Sequence, residues 1–164
     1  MKMIKKNLVL TLIIILCFSQ FSFGQSKKET EEWIKTIIED VKYRFNSYHN
    51  YEITFSNGNL IIKQPFLSKY LFESIVPLKS LGKIKLRKDD DGYKLTLSCK
   101  DGECIKDGEY LGENFTEYKF NSYSTSTSIV FGVTFQNDEL PERLKKAFKH
   151  IVQLYGGKLV GEAF

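Results

Sequence analysis

The chain of 164 residues reads as an α+β fold: an N-terminal helix, about seven antiparallel strands in a curved sheet or partly open barrel, and a C-terminal amphipathic helix. Three observations predict it. Trp33–Phe45 and Leu140–Tyr155 repeat apolar residues at three and four positions, the spacing of one helix face. Between them, Asn57-Gly58 and Asp91-Gly92 interrupt alternating runs in the manner of two-residue hairpin turns. From Ser126, strict alternation at Thr127, Ile129, Phe131, Val133 and Phe135 gives way to helical spacing, at a break marked by Asn137-Asp138 and Pro141.

The first residues belong to targeting and not to the fold. Lys2, Lys5 and Lys6 precede an apolar run from Leu8 to Phe18, and the small residues Ser22 and Gly24 stand just before Gln25. This is the layout of a secretory signal peptide. Residues 1–24 are therefore expected to be cleaved before Gln25, leaving 25–164 as a single globular domain, secreted or periplasmic. The run falls short of the roughly 20 residues of a membrane span, so no stable span is expected after cleavage. Lipoprotein attachment through Cys17 is the rival, disfavoured because Leu16 stands where such a site needs a small residue.

Cleavage changes the charge argument. The whole chain carries 24 Lys+Arg against 20 Asp+Glu, but three lysines and no acid leave with the signal, so the mature balance is 21 against 20. Basicity is mostly a property of the targeting segment, and net charge lends no support to nucleic-acid binding. The remaining 140 residues are enough for one domain with a substantial core.

The elements follow in order. Ser26 and Glu29 have capping-box spacing, and Thr30 is a second N-cap candidate. Trp33, Ile34, Ile37, Ile38, Val41 and Phe45 then form an apolar face ending near Asn46-Ser47. The Asn57-Gly58 turn pairs Phe55 with Leu60 and Ile53 with Ile62 on one face, and Glu52 with Lys63 on the other. Tyr70–Val76 is a third strand, and Pro77–Leu81 a corner or edge segment, because proline donates no ladder bond. A turn centred on Asp91-Gly92 sets Leu86 opposite Leu97 and Ile84 opposite Cys99, with Arg87–Thr96, Lys85–Ser98 and Asp89–Lys94 on the other face. Lys100–Asn114 reads as a long loop with a short strand around Cys104-Ile105. Phe115–Asn121 alternates weakly with Tyr118 and Phe120 facing in, and Asn121–Ser128 reads as a turn plus a strand start. The last helix buries Leu140, Leu144, Ala147, Phe148, Ile151 and Tyr155, and Gly156-Gly157 stops it.

Few residues suggest chemistry. Cys99 and Cys104 flank a four-residue stretch containing Asp101-Gly102, and an exported chain matures under oxidising conditions, so the pair is read as a structural disulfide. Two free thiols, or a metal or redox pair, are the alternatives. Continued pairing beyond Cys104 would set Lys106 against the core residue Leu97, so the two strands must part within a residue or two. His49 and His150 are read as partly buried or solvent-edge histidines, and no zinc spacing accompanies them. Asp89-Asp90-Asp91-Gly92 lacks the alternating ligand pattern of a calcium loop and is read as a solvated turn. Asn114-Phe115-Thr116 matches a glycosylation tripeptide, incidental in a bacterial chain. No serine sits in a nucleophile elbow, no catalytic residue stands out, and no cofactor is implied. The nine tyrosines are the one weak sign of a binding surface, since tyrosine joins an apolar ring to a polar tip; the same property suits core and rim positions of the sheet, which is the reading preferred here.

The two hairpins, the strand at Tyr70–Leu81 leading into its Pro-Leu-Lys corner, and the strand and helix at 126–155 together resemble the pleckstrin-homology-like fold. The chain departs from that pattern in carrying its single tryptophan, Trp33, in the first helix, and in placing a helix before the sheet. It also resembles small exported proteins of Bacteroidota with no assigned activity, as does a signal that ends just before Gln25. Neither resemblance carries over a site residue. The functional expectation is an exported, non-enzymatic binding or interaction module with an unknown protein or small-molecule partner. A small apolar-ligand carrier or an exported enzyme is the alternative.

Overall fold

The computed structural model describes residues 26–40, 51–66, 70–89, 92–111, 114, 116–132 and 139–160. They form two α-helices and eight antiparallel strands. The order is α1 (Lys27–Asp40), β1 (Glu52–Ser56), β2 (Asn59–Phe66), β3 (Tyr70–Pro77), a single 3-10 turn (Leu78–Ser80), β4 (Leu81–Asp89), β5 (Gly92–Cys99), β6 (Ile105–Leu111), β7 (Glu117–Ser124), β8 (Ser126–Gly132) and α2 (Glu139–Leu154). The strands divide into a five-stranded sheet, β1-β2-β3-β6-β7, and a three-stranded sheet, β4-β5-β8. The expected single curved sheet or partly open barrel is thus corrected: there are two sheets, and they do not close into a barrel.

The two sheets come from one meander of three long strands, each bent in its middle. β3 runs through the 3-10 turn into β4; β5 runs through residues 100–104 into β6; β7 runs past Thr125 into β8. The middle strand pairs with both neighbours on each side of the bend. Three bonds hold the corner: Cys99 N–H donates to Thr125 O (2.8 Å), Cys104 N–H to Ser124 O (3.1 Å), and Lys100 N–H to Ser80 O (2.8 Å). Gly82 makes the bend sterically possible, because a Cβ there would lie 2.5 Å from Lys100 Cα. β1 and β2 widen the first sheet as a hairpin on the β3 side.

The first hairpin has the expected register, with Phe55 opposite Leu60, Ile53 opposite Ile62 and Glu52 opposite Lys63. Asn57 (φ 49°) and Gly58 (φ 81°) supply the left-handed pair that a type I′ turn requires. The second hairpin is displaced by two residues: Ile84 faces Leu97, Leu86 faces Leu95, Arg87 faces Lys94, and Asp89 faces Gly92. The turn lies one residue earlier than expected, between Asp89 and Gly92. A shift of two preserves side-chain parity, so the apolar and polar faces stay as read.

The largest departure is β6. The stretch read as a loop with a short strand around Cys104-Ile105 is a seven-residue strand paired on both sides, with β3 and β7. Its polar composition hid it, since only Ile105 and Gly108 are fully buried. β7 likewise continues through Asn121 to Ser124, and only Thr125 interrupts the passage into β8. The stretch 121–128 is therefore not a turn.

The core lies between the sheets and the helices. Ile34 and Ile38 of α1, Ile53, Leu60, Ile62, Val76, Ile84, Leu95, Leu97, Ile105, Ile129 and Phe131 of the strands, and Leu144, Phe148, Ile151 and Val152 of α2 are all buried. α1 packs on β1 and α2; α2 packs on β4 and the 3-10 turn. The predicted capping box is formed: Ser26 N–H donates to Glu29 Oε2 (2.8 Å) and Glu29 N–H to Ser26 Oγ (3.2 Å). These bonds, the backbone one first, hold the Glu29 carboxyl below its ordinary range. α2 ends as expected, with Gly156 at φ 78° and Gly157 N–H donating to Val152 O (2.9 Å). Val41, Phe45, the expected helix end at Asn46-Ser47, Val133, Phe135 and Asn137-Asp138 lie outside the described residues, as do Cys17 and the cleavage site before Gln25.

Candidate functional site

The outward face of the five-stranded sheet is where non-core chemistry collects. Strand parity directs Ile53, Leu60, Ile62, Val76 and Ile105 inward, which leaves Lys63, Glu73, Lys106, Gly108 and Tyr110 on the other face. In β7, Asp107 pairs with Ser122 but Gly108 pairs with Phe120, so one extra residue bulges out at position 121. The bulge resets parity. It places Tyr118, Phe120 and Tyr123 together on the outward face, where strict alternation would separate Phe120 from Tyr123. Phe120 is 44% exposed and Tyr123 54% exposed. The expectation that Tyr118 and Phe120 face the core is therefore corrected.

These rings form a continuous surface. Tyr110 and Tyr118 have centroids 5.1 Å apart, and Phe120 and Tyr123 5.3 Å apart. Lys63 Nζ lies 5.1 Å from the Tyr110 centroid; Lys106 Nζ lies 5.3 Å from that of Tyr118 and 5.6 Å from that of Phe120. Tyr118 can lie flat across the sheet because residue 108 is glycine: a Cβ there would be 2.6 Å from its Cζ. Beneath the rings sits Glu73, buried on the side of the sheet that faces away from the core. It accepts from Tyr110 Oη (3.1 Å) and pairs with Lys63 (3.7 Å), the lysine expected to serve Glu52. The Tyr118 hydroxyl is buried without a hydrogen-bond partner among the described residues, a state that costs on the order of 1–3 kcal/mol.

Burial first, and then the Glu73 carboxylate, push the Tyr110 and Tyr118 hydroxyls above the ordinary tyrosine range. Tyr110 Oη donates to Glu73, whereas the Tyr118 hydroxyl has no partner among the described residues.

The other candidates fall elsewhere. Cys99 and Cys104 stand at disulfide distance with Cα atoms 5.8 Å apart, at the bend of the middle strand. As anticipated, β5 and β6 part there, and Cys104 N–H bonds to Ser124 O of the neighbouring strand. His150 is half-buried in a hollow of about 250 Å³ with Trp33, Arg143, Lys146 and Ala147. Arg143 lies over the Trp33 ring, 5.5 Å from its centroid. His49, Asp90, Asp91 and Phe115 lie outside the described residues, whereas Asn114 and Thr116 are exposed. Among the described residues no group of three or more His, Cys, Asp or Glu is placed to hold a metal ion, and no helix is long and apolar enough to cross a membrane.

The tyrosines divide by role. Tyr51 and Tyr93 are core residues, and the Tyr51 hydroxyl accepts from Val130 N–H (3.1 Å). Tyr155 joins the helices, donating to Glu31 Oε1 (2.6 Å) beneath Lys27. Tyr110, Tyr118 and Tyr123 form the outward surface. Tyrosine abundance did not locate this surface: only the unforeseen strand β6 and the bulge in β7 bring these three together. No family model, curated protein or solved structure matches the chain, so its geometry alone carries the functional reading.

Proposed function

We propose that this chain is an exported, non-enzymatic interaction module whose partner-facing surface is the aromatic outward face of β3, β6 and β7. One observation carries the reading: aromatic rings stand exposed on an edge strand while the space between the sheets and helices is occupied by fully buried side chains. β7 is the outer strand of its sheet, and all eight of its residues are exposed or half-exposed. An aromatic edge strand is an association hazard unless something binds it. A protein partner laying an extended segment along β7 would pair with its free backbone edge and set side chains against Phe120 and Tyr123. Export is supported by the basic, apolar and small-residue order of residues 2–24.

The test compares the wild type with a Phe120→Ser/Tyr123→Ser double variant, both used to select from a displayed library of extended peptides. The wild type should enrich peptides that alternate apolar and polar residues, and the double variant should lose them at unchanged melting temperature. Equal enrichment by both proteins would remove the aromatic face as the binding surface.

A further inference from the structure

The outward face of the three-stranded sheet has a different character from the aromatic one. Cross-strand registers arrange it as three rows: Lys83, Ser98, Ser126; Lys85, Thr96, Ser128; Arg87, Lys94, Val130. Four of these nine positions are cationic, four carry hydroxyls and none is acidic; Asp89, opposite Gly92, follows in the next row of the same face. Lys83, Lys85, Arg87, Lys94, Thr96 and Ser98 line a surface hollow of about 330 Å³. Thr96 Oγ1 and Ser128 Oγ lie 3.0 Å apart, which ties the hydroxyl column together across β5 and β8.

This grid is costly for the fold on its own. Arg87 stands directly opposite Lys94, and like charges in facing positions destabilise a sheet. Arg87 has contacts elsewhere, but Lys83, Lys85 and Lys94 make no ion pair with any described residue. The opposite face of the same strands is the core, so packing does not require lysine at these positions. We infer that this hollow is an anion site and that its ligand is a linear chain of phosphate groups, inorganic polyphosphate.

Three features select that chemistry. Lysine and arginine only donate, hydroxyls can donate, and the nine positions hold no carboxylate, so they suit a ligand made of acceptors. No aromatic residue stands among the nine positions, so the face offers no platform for stacking the bases of a single-stranded nucleic acid. Lys83, Lys85 and Arg87 stand in one column at a spacing of roughly 6.7 Å, the two-residue repeat of a strand, with Lys94 one strand away at about 4.8 Å. A thin chain lying in the hollow meets all four charges.

The test is calorimetric titration with medium-chain polyphosphate at increasing salt. It uses the wild type, a Lys85→Gln/Lys94→Gln variant and a Lys28→Gln/Lys35→Gln variant that removes the same charge from α1. The wild type should bind with strong salt dependence. The Lys85/Lys94 variant should bind on the order of ten-fold more weakly, with a log–log salt slope smaller by roughly one per lysine removed, and the α1 variant should match the wild type. Equal weakening by both variants would reduce the effect to net charge and overturn the site. Absence of polyphosphate binding, or preferential binding of duplex DNA or phosphatidylglycerol vesicles, would overturn the ligand. The aromatic face is untouched by these variants, so this result stands apart from the peptide selection.

Discussion

Breaking the Cys99–Cys104 link should loosen the corner of the middle strand and little else. The link closes a loop with a sequence separation of only 5, so the chain-entropy relation assigns it about 2 kcal/mol. For a chain of this size that corresponds to roughly 6 °C in melting temperature, at about 3 °C per kcal/mol. The clean comparison is the wild type with and without a reductant, since reduction removes the bond and leaves both sulfur atoms packed against the core. Denaturant melts measure the loss. Amide hydrogen exchange locates it, because Cys99 N–H and Cys104 N–H donate to Thr125 O and Ser124 O across the corner. Those two amides should lose protection before the Leu95 or Ile129 amides of the β5–β8 ladder. Intact mass reads the chemistry directly: a chain beginning at Gln25 should be two mass units lighter before reduction than after, and an acylated chain beginning at Cys17 would refute cleavage before Gln25 and the localisation drawn from it. A reductant effect below about 0.5 kcal/mol would refute the claim that this link restrains the bend.

Two further outcomes test the packing. Phe148→Ala should destabilise by roughly 3–5 kcal/mol, because Phe148 is fully buried between α2 and the strands, whereas Tyr123→Ala should change stability by less than about 0.5 kcal/mol; denaturant melts of both separate core from surface. Tyr155 has its hydroxyl pushed up to about 12, first by burial and then by its bond to Glu31. The folded value lies above the unfolded value of 10.0, so this stabilisation is fully present below pH 10 and is lost as pH rises toward 12. Tyr155→Phe should flatten that alkaline decline, as read from stability measured against pH; an unchanged decline would place the loss elsewhere.

The sequence made legible whatever depends on side-chain parity over short distances. The α1 capping box, the Asn57-Gly58 register, the α2 stripe and its glycine stop all follow from residues within one element. Parity also survived the mislocated second turn, because a displacement of two leaves every side chain on its own face. Two things were not legible. β6 carries Lys106, Asp107, Gly108 and Glu109 in succession, which reads as loop until neighbours on both sides supply its hydrogen bonds. The bulge near Asn121 has no composition of its own, yet it decides where Phe120 and Tyr123 point. The aromatic surface depends on both features, which is why tyrosine abundance did not locate it. The basic grid was partly legible: the second hairpin already set Lys85, Arg87 and Lys94 on one face, and the observed register adds Lys83, although a balance of 24 against 20 over the whole chain gives no sign of the cluster.

The two outward surfaces are halves of one. Residues 94, 96 and 98 face outward before the bend of the middle strand, and 106, 108 and 110 face outward after it. The first bent strand does the same with 83, 85 and 87 on one side of its corner and 71, 73 and 75 on the other. The meander thus turns its whole outer face around the corner without exchanging inside for outside, and the corner divides that face into a cationic, hydroxyl-rich half and an aromatic half. The fold had to bend there to enclose a core with so few strands, and the bend sets the separation and angle between the halves. A ligand held by one half alone should bind equally well to reduced and oxidised protein. A partner that grips both must register the Cys99–Cys104 link, so sensitivity to reductant distinguishes a single-face complex from one that spans the corner.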